Sequence, residues 1–154
     1  MPTTAAQASV ATGTAIKTLL QVATPSTRQC QIISWGFSLN GAPNGQVELL
    51  QTDVAATVTA HVASGVQPLD PNAPASLMTL GTAATGYTAS AEGTITSTRL
   101  FDEVILTNTA DAKFVYSYQF MPDERPVVAV SKFLRVRVTM GTSVNAICWV
   151  TWDE

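Results

Sequence analysis

Catalysis and metal binding need particular side chains held close together, and this chain of 154 residues supplies few of them. Its one histidine, His61, sits in "ATVTAHVAS" with no carboxylate or second ligand beside it. Acid–base chemistry and metal coordination both need such neighbours, so His61 is expected to be solvated or packed. Asp102-Glu103 and Asp123-Glu124 are adjacent carboxylate pairs. Neighbouring side chains on a strand point to opposite faces, so Asp102 and Glu103 are not expected to act together. Asp123 and Glu124 fall in the turn "MPDERP", where acids are common without function. The chain has no GxSxG, P-loop, CxxC or HExxH pattern, and no EF-hand-like spacing for calcium. The expectation is therefore no catalytic residue, no metal site, no cofactor and no enzyme activity.

Two other groups of residues suit recognition instead. Trp35, Trp149 and Trp152 offer flat faces on which sugar rings stack, which makes a carbohydrate-binding module the alternative function. Trp35 and Trp152 lie on alternating apolar strand faces and are expected in the core, with Trp149 on the opposite face at an interface. Arg135 and Arg137 share one face of "FLRVRVTM". They form either a small basic stripe for a partner's carboxylates or a solvated strand face.

The elements that must position these residues read as strands. "RQCQIISWGFSLNG" alternates Ile33, Trp35, Phe37 and Leu39 with Ser34, Gly36 and Ser38. Asn40-Gly41 and Asn44-Gly45 bracket a turn, and "QVELLQT" returns with Val47 and Leu49, so the two runs are expected to form a hairpin. "LFDEVILTN", "AKFVYSYQF" and "FLRVRVTM" continue the period of two. "AKFVYSYQF" puts Phe114, Tyr116, Tyr118 and Phe120 on one face, against Lys113, Ser117 and Gln119. "VNAICWVTW" is apolar on both faces, which places it centrally or against a neighbouring subunit. Between residues 53 and 98 the pattern weakens: "DVAATVTAHVAS" suits a short strand or one helical turn, and Pro68, Pro71 and Pro74 exclude a helix or central strand within "QPLDPNAPAS". "TGYTASAEGTITSTR", at 85–99, holds only two sizeable apolar side chains, Tyr87 and Ile95, and reads as a long loop. Roughly seven or eight short strands without an amphipathic helix predict an all-β antiparallel sandwich, jelly-roll-like, with long loops. Residues 1–14 predict an extended N-terminal arm and 15–154 a single β-sandwich domain.

Charge decides the class of partner. Charged residues make up 12% of the chain, about half the roughly 25% of ordinary globular proteins. Such a surface suits burial against other chains, so a homo-oligomer is expected. The net charge of −3 and the lack of a Lys/Arg cluster argue against nucleic acid. No run approaches the roughly 18 apolar residues of a membrane span. The N-terminus has no basic region before an apolar one, so synthesis in a host cytoplasm without secretion is expected. Cys30 and Cys148 read as small buried apolar residues, and a bridge would need neighbouring strands.

"ATGTAIKTLLQVATP", "SWGFSLNG", "GYTASAEGT" and the terminal "CWVTWDE" together resemble the small virion structural proteins of tailed bacteriophages, most of all capsid decoration (cement) proteins. The resemblance covers most of the chain as a style and carries no catalytic motif. It implies a β-sandwich, homotrimers on the capsid surface of the virion, the major capsid protein as partner, and no chemistry. On that reading 85–99 is a contact loop with small uncharged side chains that let backbones approach. The interface residues expected are Tyr87, Thr94, Arg135, Arg137 and Trp149.

Overall fold

A computed structural model describes residues 9–41, 43–107 and 114–154. Among them the regular secondary structure is nearly all strand, in two antiparallel sheets that face each other across one core. In chain order the strands are β1 (Val10–Ala11), β2 (Lys17–Ala23), β3 (Cys30–Leu39), β4 (Gly45–Thr52), β5 (Thr57–Ala60), β6 (Gly86–Ala91), β7 (Thr98–Leu106), β8 (Phe114–Gln119), β9 (Val127–Val128), β10 (Phe133–Met140) and β11 (Asn145–Asp153). The first sheet runs β1-β11-β3-β8, with β9 also paired to β3. The second runs β5-β6-β2-β10-β4-β7. The chain alternates between sheets from β2 to β4 and again from β7 to β11, save that the short β9 stays in the sheet of β8, as in a jelly roll. It departs from that scheme at β5 and β6, which stay in the sheet of β4 and extend it beside β2.

Alternation along the strands builds the core. Trp35, Phe37 and Leu39 of β3 pair laterally with Val150, Cys148 and Ala146 of β11. Opposite them, Val136 and Val138 of β10 pair with Leu49 and Val47 of β4. All of these side chains are buried. Trp35, Phe37, Phe114 and Tyr116 form an aromatic cluster with ring centroids 5.3–5.8 Å apart. Rings at such separations add to the gain from area alone. One carboxylate joins the two layers. Asp102 Oδ2 on β7 accepts from Trp35 Nε1 at 2.9 Å and from the Tyr116 hydroxyl at 2.8 Å, both in the other sheet. Desolvation, then the neighbouring Asp102, pushes the Tyr116 phenol up to about 12.

Four expectations need correction. β3 and β4 do not form a hairpin, because they lie in different sheets. The connection passes from one layer to the other, so their apolar faces meet across the core instead of side by side. An alternating pattern is satisfied equally by either arrangement. Second, the arm does not extend to residue 14. Val10 and Ala11 pair with Ala146 and Asn145 of β11. Thr12 is buried, its N–H donating to Val144 O at 2.8 Å and its hydroxyl accepting from Val144 N at 3.0 Å. Residues 1–8 lie outside the described residues, as does Lys113. Third, 85–99 is not one loop. Gly86–Ala91 is β6, hydrogen-bonded to β2 on one side and β5 on the other, and β7 begins at Thr98. Small residues suffice for a strand near a sheet end, where backbone pairing rather than a large side chain holds it. Fourth, Ile33 leaves the inward row. Thr151 pairs with Ser34 but Trp152 pairs with Ile32, so Ile33 is the extra residue of a β-bulge and Ile32 takes the core position.

Candidate functional site

The outer face of the first sheet is the most unusual surface of the molecule. Registers on both sides of β3 define three rows across it: Val115–Ser38–Ile147, Ser117–Gly36–Trp149 and Gln119–Ser34–Thr151. None of these positions carries a charge. At its centre the Trp149 ring lies over Gly36. A Cβ at Gly36 would collide with the indole, and would stand 2.5 Å from Tyr116 O. Glycine is therefore what lets the ring lie close against the sheet. Around it Val115 is 65% and Ile147 36% exposed. β11 is an interior strand, between β1 and β3, yet its outward apolar residues have no covering layer among the described residues. The chain thus presents a flat, uncharged, partly apolar face with one immobilised aromatic ring. Such a surface buries well against another protein and leaves no ion to desolvate.

Of the five interface residues read from sequence, only Trp149 lies on this face. Tyr87 is half-buried on β6, its ring centroid 5.4 Å from that of His61. Thr94 is exposed between β6 and β7. Arg137 is half-buried and paired within the chain, Nε donating to Glu48 Oε2 at 2.9 Å and Nη2 to Oε1 at 3.3 Å. Arg135 is a correction. It is fully buried rather than available to a partner.

The burial of Arg135 follows from what crosses the second sheet's outer side. The turn after β4 and the end of β6 fold over β10 there. Arg135 Nη1 donates to Glu92 O at 3.1 Å and to Glu92 Oε2 at 3.0 Å, and Nη2 donates to Val54 O. Burial lowers the Arg135 pKa, and the Glu92 carboxylate opposes that shift. Glu92 also accepts from Thr18 N at 2.5 Å and Thr18 Oγ1 at 2.6 Å. Next to it, buried Gln21 donates to Ala84 O at 2.5 Å and accepts from Ala56 N at 2.8 Å. Gly93, at φ +74, turns the chain away directly after Glu92. These bonds form an internal polar clasp that holds residues 53–56 and 84–92 on the sandwich.

The remaining chemical candidates are dispersed. His61 is buried 3% exposed, packed on Gly65 and beside Tyr87. Asp102 turns inward to Trp35, while Glu103 is exposed, so the pair does face opposite ways. Asp123 and Glu124 are exposed in a turn. Cys30 and Cys148 are buried free thiols, and burial raises each to about 12. Among the described residues no group of three His, Cys, Asp or Glu side chains is placed to hold a metal ion. No described helix is long and apolar enough to cross a membrane.

Sequence reasoning missed Gly36, Val115 and Ile147 as parts of the face. The signal was present in the Ser-x-Gly-x-Ser spacing of β3, which sets small residues beneath an aromatic on the next strand. Without the strand order nothing joined it to Trp149. No protein-family model, curated protein or solved structure matches the chain.

Proposed function

We propose that this chain is a non-enzymatic structural protein of a bacteriophage virion. It decorates and stabilises the capsid shell, as a homotrimer that also contacts the major capsid protein. The observation that carries the assembly half of this reading is the uncharged outer face of the first sheet, with Trp149 laid over Gly36 and Ile147 and Val115 beside it. Large aromatics held rigidly at the middle of a patch are the usual anchors of protein interfaces. The virion half rests on the sequence style shared with decoration proteins and on the scarcity of charge. A passive role also agrees with the dispersal of His61, the carboxylates and the buried thiols.

The test is binding to shells. Purified protein is mixed with capsids that lack it, and the pellet after sedimentation is imaged by electron microscopy. Symmetric added density that disappears with Trp149→Arg is the expected result. Capsids that remain bare at saturating protein would overturn the reading.

A further inference from the structure

A second feature lies at the opposite end of β11 from the turn with β10. A cleft of about 520 Å³ opens between the strand end and the loop 66–77. Its volume falls within the roughly 300–1,000 Å³ of small-molecule sites. Trp152 and Ile33 line the cleft. Ile33 is there because of the β-bulge, which takes it out of the core row, and Trp152, paired with Ile32, ends the inward row of β11. Bulges commonly re-aim side chains in this way beside functional sites. Trp152 is half-buried and packs on the core with part of its surface, which holds the indole in one position.

The wall is stiff. Pro68, Pro71 and Pro74 restrict the loop, and Glu154 Oε2 accepts from Leu77 N at 2.8 Å to tie its end to the terminal strand. The rim is polar. Arg28, Asp70, Asp153 and Glu154 line the cleft and are all exposed. Each carboxylate engages one oxygen with a backbone N–H: Asp70 with Asn72 at 2.9 Å, Asp153 with Glu154 at 3.1 Å, and Glu154 with Leu77. Those bonds orient the acids.

We propose that this cleft binds a neutral oligosaccharide. The apolar C–H face of a sugar ring stacks on the Trp152 indole, and its hydroxyls donate to the oriented carboxylates and accept from Arg28. A purely apolar ligand would strand the rim groups, and an anionic sugar would meet three carboxylates against one guanidinium. An uncharged polyol satisfies both constraints. The cleft shares no residue with the rows assigned to assembly, and Ile33 and Trp152 adjoin the Ser34–Thr151 end of that face.

The experiment is a titration of the isotope-labelled full chain by NMR at millimolar maltotriose, cellotriose and diacetylchitobiose, with sialyllactose as the anionic comparison. At least one neutral sugar should shift amides within residues 66–77 and 151–154, and sialyllactose should not. Arg28→Ala alters an exposed side chain and leaves the fold intact, and it should weaken binding about tenfold through loss of one charged hydrogen bond. Trp152→Phe keeps an aromatic in the core and should also weaken it, whereas Trp149→Phe should leave affinity unchanged. Absence of shifts with every neutral sugar would overturn the proposal. So would shifts confined to the Trp149 face, preference for sialyllactose, or affinity indifferent to Arg28 and Trp152.

Discussion

Replacing Glu92 by Ala tests whether the Arg135 clasp holds the second sheet's outer layer. The Arg135 side chain is fully buried, and that of Glu92 is 20% exposed. Glu92→Ala removes the only carboxylate bonded to that guanidinium among the described residues. It leaves the charge with two backbone carbonyls, Val54 O and Glu92 O. Breaking a buried pair from one side costs about 3–5 kcal/mol. Thr18, itself buried, loses the acceptor of both its N–H and its hydroxyl. Water entering through the exposed edge of Glu92 offsets part of that second loss. The lower half of the range, about 3–4 kcal/mol, is therefore expected. At about 2–4 °C per kcal/mol for a domain of this size, the midpoint should fall by roughly 10 °C. Arg135→Met removes the charge as well as the pair, so it should cost less. The double variant Arg135→Met/Glu92→Ala should accordingly be more stable than Glu92→Ala alone. Urea denaturation of all four proteins measures the cycle. A loss below about 1 kcal/mol for Glu92→Ala would show a pair screened like a surface one. A double variant less stable than Glu92→Ala would refute the buried-charge argument itself.

Three further outcomes follow from single sites. Gly36→Ala sets a Cβ against the Trp149 ring and 2.5 Å from Tyr116 O, so overpacking should cost about 1–3 kcal/mol in chemical denaturation and alter the near-ultraviolet dichroism of the indole. The Asp53 carboxyl is held down to about 2, first by the Thr96 hydroxyl and then by the Ser97 N–H. A depressed carboxyl stabilises fully above its unfolded pKa of about 3.9 and loses that contribution as pH falls through the folded value. The urea midpoint of the wild type should therefore decline between about pH 4 and pH 2, more steeply than that of Asp53→Asn. Cys30 and Cys148, both pushed up to about 12 by burial, should resist a thiol reagent at mildly alkaline pH and react fully in urea. Rapid labelling of the native protein would contradict their burial.

Which parts of this architecture were readable in the sequence depended on whether local pattern or long-range pairing decided them. The inward rows of β10 and β11 were legible, because Leu134, Val136, Val138 and Met140, and Cys148 and Val150, keep strict alternation and are all buried. The sheet in which a strand lies was not, since alternation records only which side faces apolar surroundings. That is why β3 and β4 read as a hairpin and proved to face each other. The bulge at Ile33 was equally silent, because Ile32 and Ile33 are chemically alike and only the pairing with Trp152 chooses between them. Arg135 misled for a different reason. An arginine on the polar side of a strand reads as solvated unless its cover is known, and here the cover comes from residues 43 and 81 positions away. Trp149 was read as interfacial from its phase alone. Its seat on Gly36 required the register.

Self-association through the first sheet's outer face is the central claim, and sedimentation velocity of the wild type beside Ile147→Lys tests it most directly. Ile147 is exposed on that face and outside the core, so a lysine there leaves the protomer folded while placing a charge in the proposed contact. The wild type should sediment as a trimer and Ile147→Lys as a folded monomer at the same concentration. A wild type that stays monomeric as concentration rises, or a variant that sediments as the wild type does, would contradict that claim.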